Sequence, residues 1–411
     1  MAPVSFASEL HGLVGRSGLG VAGTARLVPC DKGYISRLAN GRQRPSRQIA
    51  WRLDEIFGCS GALAAAAGFT PPRLPSLAAG APTALPVQGL RDALLDYGYL
   101  GQAVGTETSP VSPVAVLDRK VADLLAAYQG SRYTVVLADL PGLLGECQVA
   151  AEARRGPARR RALGLVALCH QAAAMILPKL GDATLAWVAA ERGLQSAREG
   201  GDPIVIASLL RSVAYVHQCC GRYETALHVT ETATGFMRAR LDLSSPAGLS
   251  LYGTAFLAGA MAAARSGDKP AVRDLLAQAA GAAEKLGGER NYLWTAFGPS
   301  NVLIHQVATA VELDSMQAAV RLASRVRLDR LVPERRARHA FDVARAYTAW
   351  GRPEEALAVL LEAERLVPEQ VRDHAAGRQA AAALMEASGS RPGAELVAFA
   401  RRAGVLDGPV A

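Results

Sequence analysis

Residues 340–369 read AFDVARAYTAWGRPEEALAVLLEAERLVPE. Small and apolar residues recur at helical spacing on both sides of Gly351, the pattern of two helix faces joined by a tight turn. Ala344 and Tyr347 fall on one face of the first helix, and Ala356 and Leu360 face back from the second. Alanine lets two helices cross closely, and glycine accepts the positive φ that such a turn needs. The segment predicts a helical hairpin.

The same arrangement returns along the chain. A small residue is followed five positions later by an alanine or valine at Gly130/Val135, Gly181/Ala186, Gly221/Ala226, Gly267/Val272, Asp314/Ala319, Gly351/Ala356 and Gly389/Ala394. The pairs recur on average every 43 or so residues, about the period of helical-hairpin repeats, which bury their apolar faces by stacking. Residues 340–369, and SVAYVHQCCGRYETALHVTETA at 212–233, resemble tetratricopeptide repeats. The resemblance implies a curved solenoid with a concave inner face over residues 117–411. An irregular helical bundle is the competing arrangement, and the repeated spacing disfavours it.

Composition agrees. Half of the 411 residues are apolar and only 5% are aromatic, which suits helices packed on small side chains. Six scattered cysteines form no C-x-x-C pair and have no histidines at zinc spacing, so buried thiols in a reducing cytoplasm are expected, with no metal and no cofactor. No secretory signal opens the sequence. The most apolar stretch, Leu163 to Leu177, is interrupted by His170 and Gln171 and reads as too short to span a membrane. Residues 69–116 carry Pro71, Pro72, Pro75, Pro82, Pro86, Pro110 and Pro113, the composition of a linker, with a short helix expected around Leu90 to Tyr97.

Residues 1–68 read differently. Phe6, Leu10, Leu13 and Val14 predict a first helix, and a second follows from about Gly20 to Val28. Pro29 and Cys30 make a turn, and Asp31 caps a third helix that ends at Asn40-Gly41. Ser46 caps a fourth, with Ile49, Leu53, Ile56 and Phe57 inward, and Gly61 to Ala67 forms a fifth. A local basic patch lies here: Arg26, Lys32, Arg37, Arg42, Arg44, Arg47 and Arg52 face only Asp31 within their stretch. Such a patch attracts a phosphate backbone.

GLGVAGTARLVPCDKGYISRLANGRQRPS, residues 18–46, resembles the core of Cro/C1-type (XRE family) helix-turn-helix domains. The match runs through Ala25, Tyr34 to Leu38, Gly41, Arg42 and Pro45-Ser46. The resemblance implies that the third helix enters the major groove of double-stranded DNA. It places Lys32, Gly33 and Arg37 toward base edges, and Ser36, Arg42, Gln43 and Arg44 toward phosphates. Val21, Thr24 and Pro29 depart from the pattern, standing where a polar residue, a core leucine and a turn glycine are usual. Gly18, Gly20 and Gly23 also spell G-x-G-x-x-G, but no strand precedes them and no βαβ unit surrounds them.

The whole layout resembles actinobacterial regulators that join such a head to a tetratricopeptide-like body, supported by LGDATLAWVAAERGLQSAREGGDP (180–203), FGPSNVLIHQVATAVEL (297–313) and LVPEQVR (366–372). The family implies regulation, often with an unidentified effector; because one short head buries too little surface for strong specificity, a homodimer on a palindrome is expected. In the body, Asn291, Trp294, Phe297, Asn301 and His305 gather polar and aromatic groups, and Asn301 and His305 share a helix face. They are candidates for binding a peptide or small-molecule effector, against simple repeat packing. No G-x-S-x-G, H-E-x-x-H or Walker motif is present, so no enzyme is expected. The expectation is an all-α, cytoplasmic transcription regulator. The alternative is a repeat-type interaction scaffold with a degenerate head.

Overall fold

The structure, a computed structural model, describes residues 5–28, 32–45, 47–59, 62–68, 85–95, 111–389 and 392–406. Two compact units divide the chain at Ala78/Ala79. Among the described residues no strand forms; an isolated bridge, Arg290 to Phe297, is the only pairing of β type. The protein is all-α.

The first unit contains α1 (Phe6–Arg16), α2 (Gly20–Leu27), α3 (Lys32–Ala39), α4 (Arg47–Ile56) and α5 (Ala62–Ala66). Phe6, Leu10 and Val14 of α1 pack on Ala25, Ile35, Leu38, Leu53 and Leu63 in one small core. Pro29, Cys30, Asp31, Ser46 and Gly61, to which the sequence assigns a turn, two caps and a helix start, lie outside the described residues.

In the second unit helices come in antiparallel pairs. α7 (Val114–Gln129) packs on α8 (Tyr133–Glu152), α9 (Gly156–Ile176) on α10 (Ala183–Gly200), and α11 (Pro203–Cys219) on α12 (Tyr223–Arg240). Then come α13 (Pro246–Ser266) with α14 (Lys269–Leu286), α15 (Pro299–Glu312) with α16 (Met316–Ala323), and α17 (Pro333–Ala349) with α18 (Pro353–Leu366). After the short α19 (Pro368–Asp373), α20 (Ala375–Ala387) packs on α21 (Ala394–Arg402). The first helix of each pair also touches the first helix of the next, so α7, α9, α11, α13, α15, α17 and α20 form a continuous inner layer.

The turn within a pair puts one residue in the left-handed region, and the residue five positions on points into the core. Gly351 (φ 78°) does this for the buried Ala356, and Asp314 (φ 57°) for the buried Ala319. The first pair departs from the expected register. Its left-handed residue is Ser131 (φ 58°), one place after Gly130, so Val136 is buried and Val135 is exposed. In the last pair Ala394 is exposed and Leu396 takes the core position.

Two readings of the sequence change. α6 (Gln88–Leu95), in the proline-rich stretch, is part of the second unit's packing: Val87, Leu90 and Leu94 join its largest core cluster. Arg91 pairs with Asp182 at 3.0 Å, and Arg192 donates to the Leu94 carbonyl at 2.6 Å. Three helical segments are also long and apolar enough to cross a membrane, including the 25 residues of Gly156–Leu180, longer than Leu163 to Leu177 suggested. Neighbouring helices bury 94% of that segment's most apolar window, which explains its composition without lipid.

Candidate nucleic-acid interface

α3 is packed on one face and exposed on the other. Ile35, Leu38 and Ala39 are buried against α1 and α2, while Lys32, Gly33, Arg37 and Asn40 are exposed on the other face. The helix ends at Gly41 (φ 68°), whose N–H donates to the Leu38 carbonyl at 3.1 Å, while the Arg42 N–H donates to the Arg37 carbonyl at 2.9 Å. This double closure fixes the direction in which Arg42, Gln43 and Arg44 leave the helix. All three are exposed, and the buried Pro45 anchors the segment behind them.

Gln43 folds back onto α3: Arg37 Nε donates to Gln43 Oε1 at 2.9 Å, and the Arg37 guanidinium lies 6.0 Å from the Tyr34 ring centroid. The bond is made through Nε, and among the described residues nothing takes up the two terminal nitrogens. That end of the fork suits a bidentate acceptor such as a guanine edge. Ser36, expected at a phosphate, is half-buried and already engaged, because Asn40 Nδ2 donates to its carbonyl at 2.8 Å and to its hydroxyl at 3.4 Å. Asn40 was not singled out by the sequence, although it stands one turn beyond Ser36 on the exposed face.

The scaffold accommodates two of the unusual residues. Thr24 is fully buried in the core, and its hydroxyl donates to the Gly20 carbonyl at 2.9 Å, so a polar atom stands in the leucine position without being left unpaired. Val21 is half-buried, and the N-terminus of α2 has no side-chain cap. Pro29 lies outside the described residues. Asp54, 3% exposed, accepts from the N–H groups of Leu63 at 2.8 Å and Ala64 at 3.0 Å, joining the start of α5 to α4. No short-range pattern announces that cap, because its donors lie nine and ten residues away.

The effector candidates of the body separate. Asn301 and His305 line a cavity of about 90 Å³ inside the layer of first helices. Phe297 is fully buried, with its ring against the backbone of α13 at Gly253. Asn291 exchanges side-chain hydrogen bonds with Gln129 at 2.7 and 3.1 Å, and Gln129 also donates to the Trp294 carbonyl at 2.8 Å. These contacts tie the loop before α15 to α7. Arg211, Arg338 and His339, which no pattern in the sequence marks, line the same cavity as Asn301 and His305.

Among curated proteins no relative matches this chain. Residues 5–67 match the family model of the helix-turn-helix domain, the segment that carries the exposed α3. The N-terminal unit is thus a helix-turn-helix domain, and its basic exposed helix supports a role for the protein as a DNA-binding regulator.

Proposed function

We propose that the protein is a sequence-specific transcription regulator of the Cro/C1 type, acting in the cytoplasm on double-stranded DNA and without catalysis or a bound cofactor of its own. The observation that carries this reading is the face of α3. Lys32, Gly33 and Arg37 are exposed together on a short helix packed from behind, followed by Arg42 and Arg44 in a fixed loop. The helix reads base edges through Arg37, and the flanking arginines set register on phosphates. One such head buries too little surface for strong specificity, so the protein binds as a homodimer on a palindrome.

The paired helices of the body are read as tetratricopeptide-like repeats that mediate dimerisation and sense a small effector. An effector shifts DNA affinity only if it binds two arrangements of the body unequally. The test is selection of genomic fragments by the full-length protein and by Arg37→Ala. A palindromic site enriched by the first and lost by the second supports the regulator. No enriched site from the full-length protein transfers belief to an interaction scaffold.

A further inference from the structure

The cavity inside the layer of first helices is lined by more polar groups than the fold uses. Arg211, on α11, is 9% exposed and has no ion pair and no hydrogen bond among the described residues; its Nε is buried without a partner. Burial, assisted by the neighbouring Arg335, pushes its pKa down to about 10 against the opposing pull of Tyr128 and Glu334. The other cavity cations have counter-charges: Lys179 pairs with Glu334, Arg335 lies 3.5 Å from Glu334, Arg338 3.8 Å from Asp342, and Arg265 3.5 Å from Glu312. Arg211 is the one of them without a direct ion pair, since Glu334, the carboxylate that acts on it, is already held by Lys179 and Arg335.

Neutral groups beside it are also unmatched. Asn301 is fully buried, and its Nδ2 donates to the carbonyls of Ala296 at 2.8 Å and Thr295 at 3.3 Å. Those bonds fix the amide orientation, so the atom without a partner is the acceptor Oδ1. His339, 6% exposed, leaves Nδ1 unpartnered. An unpaired buried guanidinium costs a fold several kcal/mol, and folding alone gives no reason to keep one. A cavity that holds an unmatched cation and an unmatched acceptor is complementary to a ligand with the opposite groups.

We propose that this cavity binds a compact oxyanion that also carries a hydroxyl donor, with its negative group on Arg211 and its hydroxyl on Asn301 Oδ1. The inference rests on the effector reading of the body and supplies its ligand class, a phosphate or a small hydroxy acid. A volume of about 90 Å³ suits a small molecule and excludes a folded partner.

The full-length protein is titrated calorimetrically with inorganic phosphate, with L-malate and with glycerol. One of the two anions is expected to bind saturably with a Kd of about 1 mM or tighter, glycerol is not, and Arg211→Gln weakens the anion at least about tenfold. Without ligand, Arg211→Met is expected to melt no lower than the parent protein, because the substitution removes a buried charge that has no direct ion pair, at similar volume. Saturable binding of neither anion, or equal affinity in Arg211→Gln, overturns the proposal. So does a lower melting temperature of Arg211→Met, which makes the guanidinium a structural group. None of these measurements involves DNA. Failure here beside a successful fragment selection removes only the ligand class, whereas anion binding without an enriched site removes the regulator and leaves the cavity site.

Discussion

Lys179 donates to Glu334 across 155 positions of sequence, with both side chains buried. Lys179 sits in the 3-10 turn after α9 and Glu334 at the start of α17, so the pair ties the second helical hairpin to the sixth. It has company: Ser131 bonds Gln370, the Thr134 N–H donates to Glu369 at 2.9 Å, and Gln370 donates to the Glu334 carbonyl at 3.2 Å. The Lys179 ammonium also lies 4.7 Å from the Tyr128 ring centroid. These contacts join the first two hairpins to the sixth and to α19 across the array.

Breaking that pair from one side is expected to be expensive. Lys179 and Arg335 hold the Glu334 carboxyl well below the usual range, while burial lowers the Lys179 pKa to about 8. Glu334→Gln leaves a buried ammonium without its counter-charge and should cost about 3–5 kcal/mol, whereas Lys179→Met with Glu334→Leu should cost much less. Chemical denaturation of the single and double variants checks this; equal losses would mean that the ion pair is not what matters there.

A second prediction concerns Gly253. A Cβ there would sit 2.0 Å from Phe297 Cζ, and the ring is enclosed. Gly253→Ala is therefore expected to destabilise the body by about 1–3 kcal/mol or more through overpacking. Adding Phe297→Leu should recover part of the loss, since it removes the clashing ring edge. A thermal melt of the two variants decides it.

Acid should weaken the body through its buried histidines. Burial lowers the pKa of His170 and His339 from 6.5 to about 4 each. With the folded values depressed, the unfolded chain takes up protons first as the pH drops. Stability is whole above about 6.5 and lost progressively down to about 4, each ring costing about 2 kcal/mol at pH 5. Melting temperatures at pH 7 and pH 5 test this, and His339→Phe should reduce the difference while leaving the share of His170. An unchanged melting temperature at pH 5 contradicts the burial of both rings.

In the head, the two kinds of arginine should behave differently. Arg37→Ala is expected to cost about 1–3 kcal/mol on the preferred site and to relax specificity at one base pair, while Arg44→Ala weakens all sequences alike and lowers the salt slope by about 1. Binding isotherms across a salt series separate them. Identical effects from both would remove Arg37 from base readout.

Asp54→Ala should destabilise the head by about 1–3 kcal/mol, because it strips the acceptor from two buried N–H groups at the start of α5. Hydrogen exchange at Leu63 and Ala64 reports it directly: fast exchange in the variant with α1 still protected is the expected pattern.

Much of this was legible in the chain. Helical period, small residues at crossings and turn residues at Gly221, Gly267 and Gly351 are local signals, since a helix and its turn are fixed by residues within a few positions of one another. The inward Ile35 and outward Lys32 and Arg37 of α3 agree with what the helix-turn-helix resemblance implies. What the sequence could not carry depends on which distant surfaces meet. The one-residue offset at Ser131, the docking of α6, the Asp54 cap and the Lys179–Glu334 pair arise only when elements far apart in sequence are brought together. The same holds for the unpartnered Arg211: whether a buried charge has a counter-ion is a property of the space around it, and no pattern along a single helix records that.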